Sequence, residues 1–101
     1  MTTTSPPRTV SVELQESEAS GAVVEAIERD NAHVDISHMP GLVRLASPHQ
    51  LVIKRETVEA ILGRDWDTQE FNLVIVTYSG NIAEWDEDQI VINWQERRRY
   101  R

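Results

Sequence analysis

The sequence predicts an α+β domain: a mainly antiparallel sheet, or two small sheets, with helices packed on one face. Three observations carry this expectation. Short runs of apolar or alternating residues recur along the chain, two segments switch to a helical period, and Gly, Pro, Asn or Asp punctuates most junctions. The elements read in the order β-α-β-β and again β-α-β-β, an echo of structure with little sequence identity between the halves. At 101 residues the chain has the length of one domain.

Residues 1–8 are polar, carry two prolines and have no periodicity, which predicts a flexible tail before a folded region at 9–96. "TVSVELQ" sets Val10, Val12 and Leu14 against Ser11, Glu13 and Gln15, the alternation of a half-buried strand. Ser17 has the chemistry of an N-cap, with Glu18 in the first turn. Ala19, Val23, Ala26 and Ile27 then form an apolar helical stripe that ends at Asp30-Asn31.

"HVDIS" reads as a short strand with Val34 and Ile36 on one face, followed by the turn Met39-Pro40-Gly41. "LVRLA" and "LVIK" read as two more strands, separated by the turn Ser47-Pro48-His49. In "RETVEAILGRDW", Val58, Ile61 and Leu62 lie at i, i+3 and i+4 of a second helix, and Gly63 stands where a glycine would stop it. "FNLVIV" reads as a long strand running into Thr77-Tyr78-Ser79, with Gly80-Asn81 as a turn. "NIAEW", a turn at Asp86 to Asp88, and "QIVINW" complete the domain. The last residues, 97–101, form a basic tail.

The long strand poses a question. Successive side chains of a strand point to opposite faces, yet Leu73-Val74-Ile75-Val76 is apolar throughout. Either it is central to a two-layer core, or helices cover one face and a partner protein covers the other.

Charge and composition exclude several functions. The formal net charge is −7. Arg97, Arg98, Arg99 and Arg101 supply four of the ten basic residues, leaving six against 17 acids in residues 1–96, a net of −11. An acidic body repels phosphates, which argues against nucleic acid and anionic membranes as partners and favours steering onto a basic protein surface. The absence of cysteine removes disulfides, thiolate catalysis and Cys-ligated metals. No apolar run approaches the ~20 residues of a membrane span, and "MTTTSPPR" has no apolar signal region, so the expected location is the cytoplasm.

No catalytic constellation emerges. "HVDISH" brings His33, Asp35 and His38 together, but the spacing matches no ligand motif, and surface polar residues around a strand and turn are the better reading. Asp65 with Asp67, and Glu84 with Asp86, Glu87 and Asp88, are expected to be solvated acidic turns. "TYSGN" lacks the G-x-S-x-G nucleophile elbow, and the four glycines stand apart rather than forming a phosphate loop. Trp66, Trp85 and Trp94 are expected in the core or at an interface. The residues alone leave a generic ligand-binding or dimerising domain open as an alternative to a protein-docking module.

"RETVEAILGRDW" followed by "EFNLVIVTYSGNIAEWDEDQIVI", with "GAVVEAIERDN", "PGLVRL" and "LVIKRET" before them, resembles the effector proteins of soluble diiron monooxygenases. The resemblance spans about residues 9–95 and looks nearest to the phenol hydroxylase and the propane or alkene monooxygenase effectors. It implies a coupling protein with no cofactor and no catalysis of its own. Such a protein binds the hydroxylase oligomer over the helices covering its diiron centre, and promotes oxygen activation, substrate access and coupling of NADH oxidation to hydroxylation. It also implies a hydroxylase-facing segment at the end of the long strand: Val74, Val76, Thr77, Tyr78, Ser79, Gly80 and Asn81, joined by the polar Asn72. Tyr78 is the expected aromatic anchor, with hydrogen bonds from Thr77 and Ser79.

Overall fold

A computed structural model describes residues 9–94. Both expected tails, 1–8 and 97–101, lie outside the described residues. Within them the order is β1 (Val10–Gln15), α1 (Glu18–Asp30), β2 (Asp35–Met39), β3 (Leu42–Ser47), β4 (Gln50–Lys54), α2 (Arg55–Leu62), a 3₁₀ helix η1 (Thr68–Leu73), β5 (Ile75–Ser79), β6 (Asn81–Trp85) and β7 (Gln89–Asn93). The expected pattern is present twice, with β7 as a closing strand and η1 inserted after α2.

The strands form two antiparallel sheets. Sheet A has the order β2-β3-β1-β5 and sheet B the order β4-β7-β6. Val10, Val12 and Leu14 of β1, and Leu51, Ile53, Ile90 and Ile92 of sheet B, are fully buried with Val23, Ala26 and Ile27 of α1 in one core. Helix α1 packs against α2 and β4. The alternation of β1 and the stripe of α1 therefore meet in the same interior.

Local chemistry fixes the helix ends. Ser17 caps α1: its hydroxyl accepts from Ser20 N–H at 3.1 Å while Ser20 Oγ accepts from Ser17 N–H at 2.8 Å, a reciprocal capping box. Gly63 ends α2 with φ 75°, a left-handed conformation that glycine adopts without strain.

Asn31, just past α1, bonds the outer edge of β4, an end strand of sheet B among the described residues. Its Nδ2 donates to Ile27 O (2.8 Å) and Val52 O (2.9 Å), and its Oδ1 accepts from Val52 N–H (3.0 Å). The side-chain amide thus takes the place of a neighbouring strand and ties helix to sheet. Asn31→Ala strands the Val52 N–H and C=O in a half-buried site, and should cost about 1–3 kcal/mol in urea unfolding. Asn31→Asp should recover little of that loss, because a carboxylate has no donor for the two carbonyls.

The long strand is not one strand. Asp67 opens η1, its Oδ1 accepting from Gln69 N–H at 2.9 Å while Glu70 Oε2 accepts from Asp67 N–H at 3.0 Å. Thr68, Phe71 and Val74 are buried at a spacing of three, the period at which 3₁₀ side chains align. Leu73 falls off that line and points to solvent, 75% exposed. The expected strand from Phe71 is therefore corrected to a capped 3₁₀ turn followed by a five-residue strand, and its failure to alternate disappears. The central placement offered for it gives way as well, because β5 is an edge strand of sheet A.

Two apparent hairpin turns are crossings between sheets. The segment after Ser47 leads from sheet A to sheet B, and Gly80 does the same between β5 and β6.

Candidate interaction surface

Among the described residues strand β5 pairs with β1 alone, which makes it an edge strand of sheet A. In register, Ser79 lies opposite Ser11, Tyr78 opposite Val12, Thr77 opposite Glu13 and Ile75 opposite Leu14. The register shifts between Glu13 and Leu14, which makes Val76 the extra residue of a β-bulge. Thr77 and Ser79 thus share the outer face of sheet A with Glu13, Arg44 and Ser37, while Tyr78 lies on the side of Val12. Arg44 and Glu13 approach to 3.9 Å on that outer face. Tyr78 sits at the sheet margin and remains 43% exposed.

The expected site residues divide accordingly. Val76, Thr77, Tyr78 and Ser79 are brought together as the exposed part of one edge strand. Asn72 is exposed on η1, its Nδ2 donating to Gln69 Oε1 at 3.4 Å. Asn81 is exposed but begins β6, in the other sheet. Gly80 joins the two, with φ 133°, and a Cβ there would lie 2.9 Å from Ile92 Cγ2. Val74 is the correction. It is 8% exposed, its side chain belongs to the core, and its carbonyl accepts from Gln15 N–H at 2.7 Å. A residue held this way presents little surface to a partner. Among the described residues Leu73 is the most exposed of the large apolar side chains, and the strand expectation gave it no surface position for the same reason that it misplaced Val74. The spacing of Thr68, Phe71 and Val74 was the signal for both.

The other candidates do not assemble into a site. Asp35 lies on β2 opposite Ala46 and His38 opposite Val43, on alternate faces, and His33 precedes the strand. Among the described residues no group of three or more His, Asp or Glu side chains is placed to hold a metal. Asp67 caps η1. Asp86 Oδ1 accepts from Asp88 N–H (2.8 Å) and Gln89 N–H (3.0 Å), and these bonds hold its carboxyl below the ordinary value of 3.8. The preference is for the charged form, so whatever stability this exposed turn adds is present above pH 3.8 and fades as the pH falls below it. Trp66 is buried, and Trp85 packs edge-to-face on Phe71 with centroids 5.9 Å apart. A surface concavity of about 530 Å³ is lined by Glu59, Asp65, Asp67, Glu70 and Glu87 with Arg55 and Trp66. Such a carboxylate lining differs from the mostly apolar walls of small-molecule pockets.

An exposed edge strand carrying an aromatic and small polar side chains suits protein docking better than chemistry. Comparisons with known proteins point the same way. The pattern of the MmoB/DmpM family matches residues 8–93. The sequence is 41% identical over 86 residues to the phenol 2-monooxygenase stimulatory component DmpM of Pseudomonas sp. (strain CF600), covering 85% of this chain and 94% of that protein. Two solved chains from phenol hydroxylase–regulatory protein complexes share the fold. One has a TM-score of 0.82 at 34% identity, covering 87% of this chain and all of the other. The second has a TM-score of 0.76 at 36% identity, covering 86% of this chain and again all of the other.

Proposed function

The chain belongs to the MmoB/DmpM family, and from that premise we propose that it is the regulatory component of a phenol hydroxylase-type soluble diiron monooxygenase. It binds the hydroxylase and stimulates it, and the oxidation itself takes place on the hydroxylase. The observation that carries this reading is the near end-to-end match to a stimulatory component, in a fold shared with regulatory chains solved in complex with phenol hydroxylase. We read it as acting without a cofactor of its own, with residues 9–96 as the working unit. We assign it to the cytoplasm, where NADH is at hand; no helix among the described residues is long and apolar enough to cross a membrane.

In energetic terms the protein acts by preferring one hydroxylase state. Binding shifts the hydroxylase towards that state only by the difference in affinity between the two. Taking a state from about 1% to 99% occupancy requires roughly 5.5 kcal/mol of such difference. An interface of standard size can supply this.

The docking segment we propose is Asn72, Val76, Thr77, Tyr78 and Ser79, flanked by Gly80 and Asn81; Val74 supports it from the core. Tyr78 inserts its ring into the partner, while the Thr77 and Ser79 hydroxyls, on the other face of the same edge strand, bond to the hydroxylase beside it. Tyr78→Ala should weaken hydroxylase affinity by about tenfold or more, as loss of an aromatic anchor does. Tyr78→Phe should keep most of it. The half-exposed ring contributes little to the core, so the thermal midpoint should hardly move. Titration calorimetry against the cognate hydroxylase, with turnover measured in parallel, tests this. Unchanged affinity and turnover in Tyr78→Ala would remove Tyr78 from the interface.

A further inference from the structure

Among the described residues, four large apolar side chains stand exposed, and three of them fall between positions 73 and 78: Leu73 at 75%, Val76 at 56% and Tyr78 at 43%. The fourth, Met39 at 38%, ends β2, the opposite edge of sheet A. Two features of the backbone produce this cluster. The 3₁₀ turn buries Phe71 and Val74 and leaves Leu73 pointing outwards. The bulge then lets Ile75, rather than Val76, take the place opposite Leu14. In a regular ladder continued from Thr77 opposite Glu13, Val76 would have faced Leu14 and the core. Both devices turn an apolar side chain away from the interior, at the same corner of the fold.

Charge singles out the same segment. Residues 71–83 contain no Asp, Glu, Lys or Arg, the longest such run in a chain that is 27% charged. Charge depletion with exposed aliphatic and aromatic side chains is the composition of an interface core, as distinct from its rim.

We infer that Leu73 and Val76 form an apolar prong that seats in a hydrophobic recess of the hydroxylase, with Leu73 as a second anchor beside Tyr78. This rests on the docking role proposed above and adds to it a residue, a use for the bulge and the chemistry of the surface met: apolar, with no charge paired to the prong. The hydroxylase is the occupant because Leu73 lies between Asn72 and Val76, continuous in chain with the proposed docking strand. The relatives solved with a partner are also complexes with phenol hydroxylase.

The test is binding of the purified cognate hydroxylase to wild type, Leu73→Ala, Leu73→Asp and, as a control at the far edge, Met39→Asp. Leu73→Ala removes apolar area without adding charge and should weaken binding about tenfold. Leu73→Asp should weaken it further, and the loss should persist in high salt, because it comes from desolvation and not from screened repulsion. Met39→Asp should bind as wild type does. Thermal midpoints should agree across the set, since both positions are exposed. Wild-type affinity in both Leu73 variants, with wild type binding normally, would overturn the prong and leave the docking role standing. A wild type that fails to bind an active hydroxylase would overturn the docking role and the prong with it. A wild-type dimer that Leu73→Asp makes monomeric, with hydroxylase binding unchanged, would assign the patch to contact between copies and overturn the inference.

Discussion

Gly80→Ala should lower the unfolding free energy by about 3 kcal/mol. Two costs combine. The backbone at Gly80 has φ 133°, a region that L-residues rarely occupy. A Cβ built there meets Ile92 Cγ2 at 2.9 Å, Asn93 O at 3.3 Å and Val10 Cγ1 at 3.5 Å. Ile92 and Val10 are fully buried and Asn93 O is backbone, so none can yield cheaply. Against a typical stability of about 5–15 kcal/mol, the loss is large. Urea unfolding should show it as a fall in midpoint at constant slope. Because β5 enters this crossing from sheet A and β6 leaves it in sheet B, a displaced Gly80 should also misplace the proposed docking strand. Hydroxylase affinity should then fall at temperatures where the variant is still folded. A change below about 1 kcal/mol would mean that the crossing relaxes without loss.

Phe71→Ala should cost about 3–5 kcal/mol, the largest effect expected of any single substitution here. Phe71 is fully buried, is among the largest side chains in the core, and meets Trp85 edge-to-face at 5.9 Å. Truncation opens a cavity between η1 and sheet B and removes an aromatic contact. Its neighbour Asn72 is exposed, and Asn72→Ala should stay within about 0.5 kcal/mol. A continuous strand would make the two positions differ through simple alternation. The 3₁₀ turn adds a further requirement, that Val74 behave like Phe71 and Leu73 like Asn72. Urea midpoints for alanine at all four positions check this pattern. Equal losses at Leu73 and Val74 would contradict the turn.

Much of this was legible in the sequence because its causes are local. Ser17 capped the helix it was expected to cap, Gly63 stopped the second helix, and the alternation of Val10, Val12 and Leu14 named the core face of β1. What could not be read depends on contacts made far away in the chain. Pro48-His49 and Gly80 look like ordinary turns, and only the pairing partners of β3, β4, β5 and β6 reveal that each one carries the chain between sheets. The run Phe71 to Val76 has strand-forming composition. The Asp67–Glu70 capping box and the burial of Trp66 and Thr68 draw its first half into a 3₁₀ turn instead. Tertiary context outweighed propensity there, as it commonly does for strands.

The site was half legible for the same reason. Thr77, Tyr78 and Ser79 were expected from a resemblance to lie on the surface, and they stand together on an exposed edge. Val74 and Leu73 exchanged roles, because a strand reading and a 3₁₀ reading assign opposite orientations to adjacent residues.

The most direct test of the central claim is product formed per NADH consumed by the cognate hydroxylase and reductase while this protein is titrated in. A regulatory component that selects a productive hydroxylase state should raise both turnover and coupling, up to an optimum near one protein per hydroxylase active site. If both stay flat at every ratio while the hydroxylase and reductase are active, the regulatory role proposed for this chain is contradicted.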